Sequence, residues 1–327
     1  MEKGERMLKE KIYITRKLPA SVVKKLEGEF HIEMWDQEEE AVPREVLLEK
    51  VKDARAVLCM LTETIDEEVL DAAPDLKIIS NMAVGYNNID VEAATKREII
   101  VTNTPGVLTE TTADLTFALM MATARRLVEA SDYLRTGKWE TWSPMQLTGM
   151  DIHGATLGII GFGRIGQALA KRAAGFGMNI LYYNRSQKPE AEKETAAQYT
   201  ALDDVLRKSD FISILLPYSE EIHHLISEKE LRLMKNTAIL INTARGGIID
   251  EAALYDALKN EVIWAAGLDV FEKEPIHPQH PLLTLPNVVT LPHIGSASIA
   301  TRMKMAELAV DNLYNALLGV GSIKRVN

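Results

Sequence analysis

Apolar positions in the first hundred residues fall in short runs separated by amphipathic stretches. The runs Lys11–Thr15, Ile32–Trp35, Ala56–Leu61, Leu76–Ser80 and Ile99–Asn103 read as strands. Helical spacing near Ser21–Glu29, Arg44–Asp53, Asp66–Ala72 and Val91–Arg97 fills the gaps. Such alternation predicts a parallel sheet covered by helices on both faces. From Thr109 to Thr136 the pattern becomes that of one long helix, with Leu115, Ala118, Leu119 and Ala122 on a single face and Gly137 as its stop. Lys138–Gly149 has little periodicity and carries Trp139 and Trp142. A second strand–helix series starts at Thr156 and continues through strands near Phe211–Leu216, Ala238–Asn242, Ala265–Leu268 and Val288–Leu291. A final amphipathic helix, about Ala297–Leu318, puts Met305, Leu308, Ala309 and Leu313 on one face. No segment is of low complexity, and nothing repeats beyond this rhythm.

The second series opens on the most informative stretch, Ala155–Asn184. An apolar run, Thr156–Ile160, turns sharply through Gly161-Phe162-Gly163-Arg164-Ile165-Gly166, runs helically from Gln167 to about Phe176, and re-enters an apolar run at Ile180–Tyr183. Gly161 suits the tight turn, Gly163 lets a pyrophosphate approach the backbone, and Gly166 allows close helix–strand packing. The N-terminus of the following helix offers unpaired N–H groups to phosphates. A GxGxxG run alone is weak evidence; between a strand and a helix, closing a unit of this size, it predicts dinucleotide binding.

Composition narrows the class without changing this picture. A chain of 327 residues, 46% hydrophobic and 26% charged, is long enough for two domains of a globular enzyme. A net charge of −10 argues against a sequence-independent nucleic-acid surface. The single cysteine, Cys59, lies within an apolar run, so it reads as a buried strand residue in a protein of the reducing cytoplasm. No apolar run is long enough to span a membrane, and the charged stretch Met1–Glu10 reads as a loose leader without a signal core.

The candidate chemistry sits at strand ends. Thr243-Ala244-Arg245-Gly246-Gly247 presents an arginine that could pair bidentately with a carboxylate. The next strand ends in Gly267-Leu268-Asp269-Val270-Phe271-Glu272-Lys273-Glu274-Pro275, and the one after it in Pro292-His293-Ile294-Gly295-Ser296. A lone surface arginine or histidine is usually structural or solvated; an arginine, a carboxylate and a histidine ending three sheet strands are a stronger signal. The loop Met82–Asp90, with Gly85, follows a strand of the first series and is either a wall of a site or an ordinary polar turn.

With these stretches in view, the chain resembles the D-isomer-specific 2-hydroxyacid dehydrogenases from about Lys11 to Val326. The resemblance rests on Gly161–Gly166, Thr243–Gly247, Gly267–Pro275 and Pro292–Ser296, joined by Val84–Asp90 and Thr109–Asp114. Within the family, Ala83–Asp90, Leu108–Arg125 and Tyr182–Pro189 look like the glyoxylate/hydroxypyruvate reductase branch. It implies an α/β protein of two doubly wound parallel-sheet lobes: a flavodoxin-like substrate lobe of residues 1–107 and 294–327, and a Rossmann cofactor lobe of residues 108–293. It also implies a homodimer formed through the cofactor lobe.

The resemblance further implies roles. Arg245 would hold a 2-oxo acid's carboxylate and polarise its carbonyl. His293 would protonate the carbonyl oxygen as hydride arrives, and Glu274 would orient that imidazole; a neighbouring carboxylate favours a charged proton donor. Backbone N–H groups at Val84 and Gly85 would meet the substrate carboxylate. Asp269 would face the nicotinamide, with Arg164, Ile165, Pro217, Thr243 and Thr109 completing the cofactor set. Tyr218 and Ile222 depart from the family's usual leucine and threonine. At the end of the second strand, where NAD-specific folds place Asp or Glu, this chain has Asn184, Arg185 and Ser186. A carboxylate would repel a 2′-phosphate, whereas Arg185 can pair with it and Ser186 donate to it, so NADP(H) is expected ahead of NAD(H).

The substrate is less legible. Met60, Leu61, Met82 and Trp142 are expected along its far wall. The branch favours glyoxylate or hydroxypyruvate, 2-ketogluconate is the runner-up, and a dinucleotide-dependent corepressor scaffold is the alternative of another class. Hydrolases of S-adenosylhomocysteine and alanine dehydrogenases share the glycine turn but not the Arg–Glu–His order. Trp142 by itself reads as packing, while in similar reductases a tryptophan in this arm borders the neighbouring subunit's site. His277 and His280 lack further ligands for a metal, so none is expected. His223 and His224 read as solvated, and Glu38–Glu40 as loop surface.

Overall fold

A computed structural model describes residues 9–327; most of the leader, Met1–Leu8, lies outside the described residues. Contacts divide the chain into two compact units, one running to Leu108 and including Ser298–Asn327, the other Thr109–Ala297.

The first unit alternates β1 (Lys11–Ile14), α1 (Ala20–Glu27), β2 (His31–Met34), α2 (Arg44–Lys50), β3 (Ala54–Cys59), α3 (Glu67–Ala72), β4 (Ile78–Asn81), α4 (Val91–Lys96) and β5 (Ile100–Thr102). All pairs are parallel, in the order β2-β1-β3-β4-β5 of flavodoxin-like sheets. Alternate strand residues feed opposite faces: Tyr13, Val57, Cys59, Ile79 and Val101 pack into one buried cluster. The other face is covered by α1 and by α12 (Ile299–Leu318), which packs on β3 and β4. The chain's end then binds the sheet edge, with Val326 N–H donating to Val101 O at 2.8 Å. Cys59 is buried, as its apolar neighbours predict.

The second unit holds α5 (Thr109–Ala124), α6 (Leu127–Arg135), β6 (Thr156–Ile160), α7 (Arg164–Gly175), β7 (Asn179–Tyr183), α8 (Pro189–Thr195), β8 (Gln198–Tyr199), α9 (Leu202–Lys208), β9 (Phe211–Ile214), α10 (Glu228–Leu233), β10 (Ile239–Asn242), α11 (Glu251–Lys259), β11 (Ala265–Leu268) and β12 (Val288–Thr290). Its parallel sheet runs β12-β11-β10-β9-β6-β7-β8, so the strand order reverses between β6 and β9. That is the doubly wound pattern, in which ligands bind beyond the carboxyl ends of the strands at the reversal. Leu157, Ile159, Ile239 and Ile241 face one core with α5 and α7, while Ile160, Ile212, Ile214 and Leu240 face another with α9, α10 and α11.

Two expectations fail around α5. The single helix 109–136 is broken: Arg126 takes a left-handed φ of 52°, and α6 restarts at Leu127. The break is held because Met150 N–H donates to Ala124 O at 2.9 Å, while Arg126 pairs with Glu129 in the next turn. The buried face of α5 is also rotated. It carries Thr112, Ala113, Thr116, Phe117, Met120, Thr123 and Ala124; of the expected face only Leu119 is buried, and Ala118 is exposed. Threonines can occupy the buried face because their hydroxyls are satisfied within the helix, Thr116 donating to Thr112 O at 2.7 Å and Thr123 to Leu119 O at 2.8 Å. On α12 the predicted Met305, Ala309 and Leu313 are buried, with Leu308 at the edge of the face.

Candidate active site

The glycine turn joins β6 to α7. Gly161 has φ 102°, and a Cβ there would come within 2.7 Å of the Leu215–Leu216 backbone; one on Gly166 would collide with Gly161 O. Gly163 differs: a Cβ there would meet nothing within 4 Å. It is the N-cap of α7 and offers no side-chain cap, which leaves the first N–H groups of the helix unmet by a capping side chain. Open space above bare helical N–H groups fits the pyrophosphate of a dinucleotide. Beyond β7, Asn184 Nδ2 donates to Ser186 O at 2.9 Å, and Arg185 and Ser186 are exposed. Thr243 is held by the hydroxyl of Thr116 at 2.7 Å; Pro217 is exposed beyond β9, and Thr109 opens α5.

Three neighbouring strands carry the rest. Asn242 of β10, Leu268 of β11 and Thr290 of β12 form one row of register partners. Arg245 and His293 each lie three residues beyond that row, and Asp269 one residue beyond it. Asn242 shapes the arginine turn, its amide donating to Arg245 O and its carbonyl accepting from Ala244 N–H, both at 3.0 Å. Burial pulls the Arg245 guanidinium downward, opposed by Glu274; a guanidinium stays charged at neutral pH regardless.

His293 Nδ1 faces Glu274 Oε2 at 2.6 Å, which leaves Nε2 to meet a substrate. The second Glu274 oxygen accepts from Phe271 N–H at 3.0 Å. Burial alone would raise the Glu274 carboxyl, but the hydrogen bond and charge of His293, the Phe271 N–H and Arg245 together hold it below the usual glutamate value.

His293 itself has φ 53°, a region that costs a non-glycine residue about 1–2 kcal/mol. Fully buried Asp269 holds it there: its two oxygens accept from Ile294 and Gly295 N–H, both at 2.8 Å, and its carbonyl accepts from His293 N–H at 2.9 Å. Hydrogen bonds to a charged group contribute roughly 1.5–3 kcal/mol each, enough to outweigh the strain. Burial raises the Asp269 carboxyl, with those N–H groups and His293 opposing. The family resemblance implies a place for Asp269 by the nicotinamide but carries no hint of this anchoring of the histidine turn.

Behind the dyad lies a network that sequence reasoning missed. Glu251 Oε1 accepts from Glu272 N–H at 2.8 Å, and Glu251 Oε2 faces His280 Nε2 at 3.2 Å. His224 Nε2 bonds Glu272 Oε1 at 2.7 Å, and His223 stacks on His224 while meeting Tyr218 OH at 3.1 Å. His224 is therefore paired with Glu272 rather than simply solvated. Gly246 packs so tightly on the Phe271–Glu272 peptide that a Cβ would collide with it. Among the described residues no group of three or more His, Cys, Asp or Glu could hold a metal ion.

In the first unit, the carbonyls of the Ala83–Gly85 loop are all taken. Thr104 N–H, Asn103 Nδ2 and Asn81 Nδ2 donate to Ala83, Val84 and Gly85 O respectively, each at 2.8 Å. The N–H groups of Val84 and Gly85 have no partner among the described residues. Asn88 ties this loop to the β3 loop by donating to Met60 O and Glu63 O at 3.0 Å. Met82 is buried and Met60 and Leu61 half-buried. Trp142 is 75% exposed, so the packing expected from an isolated aromatic is absent among the described residues.

Comparison with known proteins agrees with the fold and with the family resemblance. A model of the D-isomer specific 2-hydroxyacid dehydrogenase family, NAD binding domain, matches residues 117–295. The glyoxylate reductase of Korarchaeum cryptofilum is 53% identical over 308 residues, covering 94% of this chain and 92% of that one. The crystal structure of a protein from Thermus thermophilus superposes with a TM-score of 0.90 at 44% identity, covering 97% of this chain and all of that one. An NADPH-dependent glyoxylate/hydroxypyruvate reductase from Sinorhizobium meliloti, solved with NADP and malonate, gives 0.85 at 33% identity over 97% of each chain.

Proposed function

Because the chain belongs to the D-isomer-specific 2-hydroxyacid dehydrogenase family, we propose that it is an NADPH-preferring reductase of glyoxylate and hydroxypyruvate, yielding glycolate and D-glycerate. The observation that carries this reading is the Arg245 and His293–Glu274 arrangement at the ends of neighbouring strands, in the sheet that bears the glycine turn. Arg245 grips the substrate carboxylate and draws electron density from the adjacent carbonyl. His293 gives its proton from Nε2 to the carbonyl oxygen, and Glu274 keeps the imidazole oriented while it does so. The reduced nicotinamide, when bound, supplies the hydride.

Cofactor preference follows from the end of β7. Asn184 replaces the carboxylate that would repel a 2′-phosphate, and Arg185 has no hydrogen bond or ion pair among the described residues that would compete for it. The NADPH-dependent Sinorhizobium meliloti relative supports the same preference. Steady-state kinetics with glyoxylate, hydroxypyruvate, pyruvate, 2-ketogluconate and phenylpyruvate, each with NADPH and NADH, test the whole reading. Glyoxylate or hydroxypyruvate with NADPH should give the highest kcat/KM. A lead for phenylpyruvate or 2-ketogluconate would overturn the substrate, and a lead for NADH the cofactor.

A second copy of the chain is the proposed partner, in keeping with work in the reducing cytoplasm. Among the described residues the helix α6 buries none of its own, and Leu127, Val128, Leu134, Trp139, Trp142 and Met145 are all exposed along it and the arm that follows. So much apolar surface in one stretch marks an interaction site. Light scattering should give about twice the 36.4 kDa chain mass; a monomer at micromolar concentration would refute the dimer.

A further inference from the structure

The segment that selects the cofactor is closed from below by one tyrosine. Tyr182, fully buried on β7, donates its hydroxyl proton to Glu192 Oε1 at 2.6 Å and accepts from Lys188 N–H at 2.8 Å. The other Glu192 oxygen accepts from Gln187 Nε2 at 3.0 Å. The ring of Tyr182 stacks on Phe162 of the glycine turn, centroids 4.0 Å apart and planes 20° from parallel. Asn184 links the same two segments, its Nδ2 donating to Ser186 O and its Oδ1 accepting, at 3.4 Å, from Phe162 N–H. Residues 184–188 are thus pinned at both ends, and exposed Arg185 and Ser186 project from the middle.

We propose that the Tyr182 hydroxyl is a positioning group for cofactor choice: by fixing Lys188 and Glu192 beneath the loop, it holds Arg185 and Ser186 where the 2′-phosphate of NADPH is received. The inference rests on the NADPH reading and adds a residue that never touches the cofactor. Burial, reinforced by Glu192, pushes the tyrosine up to about 12, so the hydroxyl keeps its proton and remains a donor across the working range. The ring and the hydroxyl act separately. The stack serves the glycine turn and hence any dinucleotide; the hydroxyl serves the loop and hence only the one bearing a 2′-phosphate.

Tyr182→Phe keeps the stack and removes the hydroxyl. Dissociation constants for NADPH and NADH, read by protein fluorescence without substrate, separate the two functions. NADPH binding should weaken about threefold to tenfold, the range expected from one net hydrogen bond, while NADH changes by less than twofold. Equal weakening of both cofactors, or none for NADPH, overturns the proposal. Glu192→Ala removes the acceptor without altering the core and should shift the same ratio, which keeps the test valid if the Phe variant does not fold. Arg185→Ala is the control for the underlying reading. If it lowers the NADPH preference and neither Tyr182→Phe nor Glu192→Ala does, the positioning role alone is wrong. If Arg185→Ala leaves the preference intact, the NADPH reading fails and the proposal with it.

Discussion

Arg245→Ala is expected to reduce kcat/KM for glyoxylate or hydroxypyruvate by about a thousandfold, through both a higher KM and a lower kcat, since removing one preorganised group that stabilises developing charge costs roughly 10²–10³ in rate alone. Two functions leave together: the grip on the carboxylate, and the cationic pull on the carbonyl as negative charge develops there. Arg245→Lys should recover only a small part, because an ammonium lacks the planar fork that matches a carboxylate. The fold should survive, since the Asn242 contacts that shape the turn involve only main-chain atoms of residues 244 and 245. NADPH binding by fluorescence should stay near wild type. A variant with a raised KM but an unchanged kcat would show that Arg245 binds without polarising.

The second large effect belongs to the histidine. His293→Ala should lower kcat by roughly 10²–10⁴, the contribution of a positioned proton donor, with NADPH affinity unchanged. Activity within tenfold of wild type would end the assignment. Its partner makes a finer prediction. Because Glu274 is held below the ordinary glutamate value, it stays ionised through the neutral and mildly acidic range. Glu274→Gln removes the carboxylate that faces His293 Nδ1, so kcat should fall while NADPH affinity stays near wild type. An unchanged kcat would mean that this carboxylate does not orient the ring for proton transfer.

Strands were legible from sequence because parallel strands covered on both faces are continuous apolar runs, as in Ile239–Asn242 and Phe211–Ile214. The short polar helices α8 to α11, and the two-residue strand β8, were not picked out; six- to nine-residue helices with one buried stripe give little periodicity. The break at Arg126 had no signal, since a left-handed turn there uses neither glycine nor asparagine. Buried threonines on α5 misled the choice of face, because their back-bonding is invisible to a hydrophobicity pattern.

The candidate site divides in the same way. Arg245 and His293 stood out because they and a carboxylate follow the ends of three apolar runs that read as strands. What holds them was hidden. The anchoring of His293 by Asp269 and the Glu251–Glu272 contact join residues 21 or more positions apart, or depend on which carboxylate oxygen meets which N–H. Trp142 shows the limit from another side: an exposed aromatic and a packed one look alike in sequence.

The shared row Asn242–Leu268–Thr290 has a consequence for inherited change. Its spacing across the sheet comes from the main chain, about 4.8 Å per strand, so side-chain substitutions cannot lengthen or shorten it. Arg245 and His293 each stand a count of three residues beyond that row. In-frame insertions or deletions between residues 290 and 293, or between 242 and 245, therefore separate folding from chemistry more sharply than most missense changes. Such alleles would leave a protein of normal abundance with its reading frame intact and its chemistry out of phase with its own sheet.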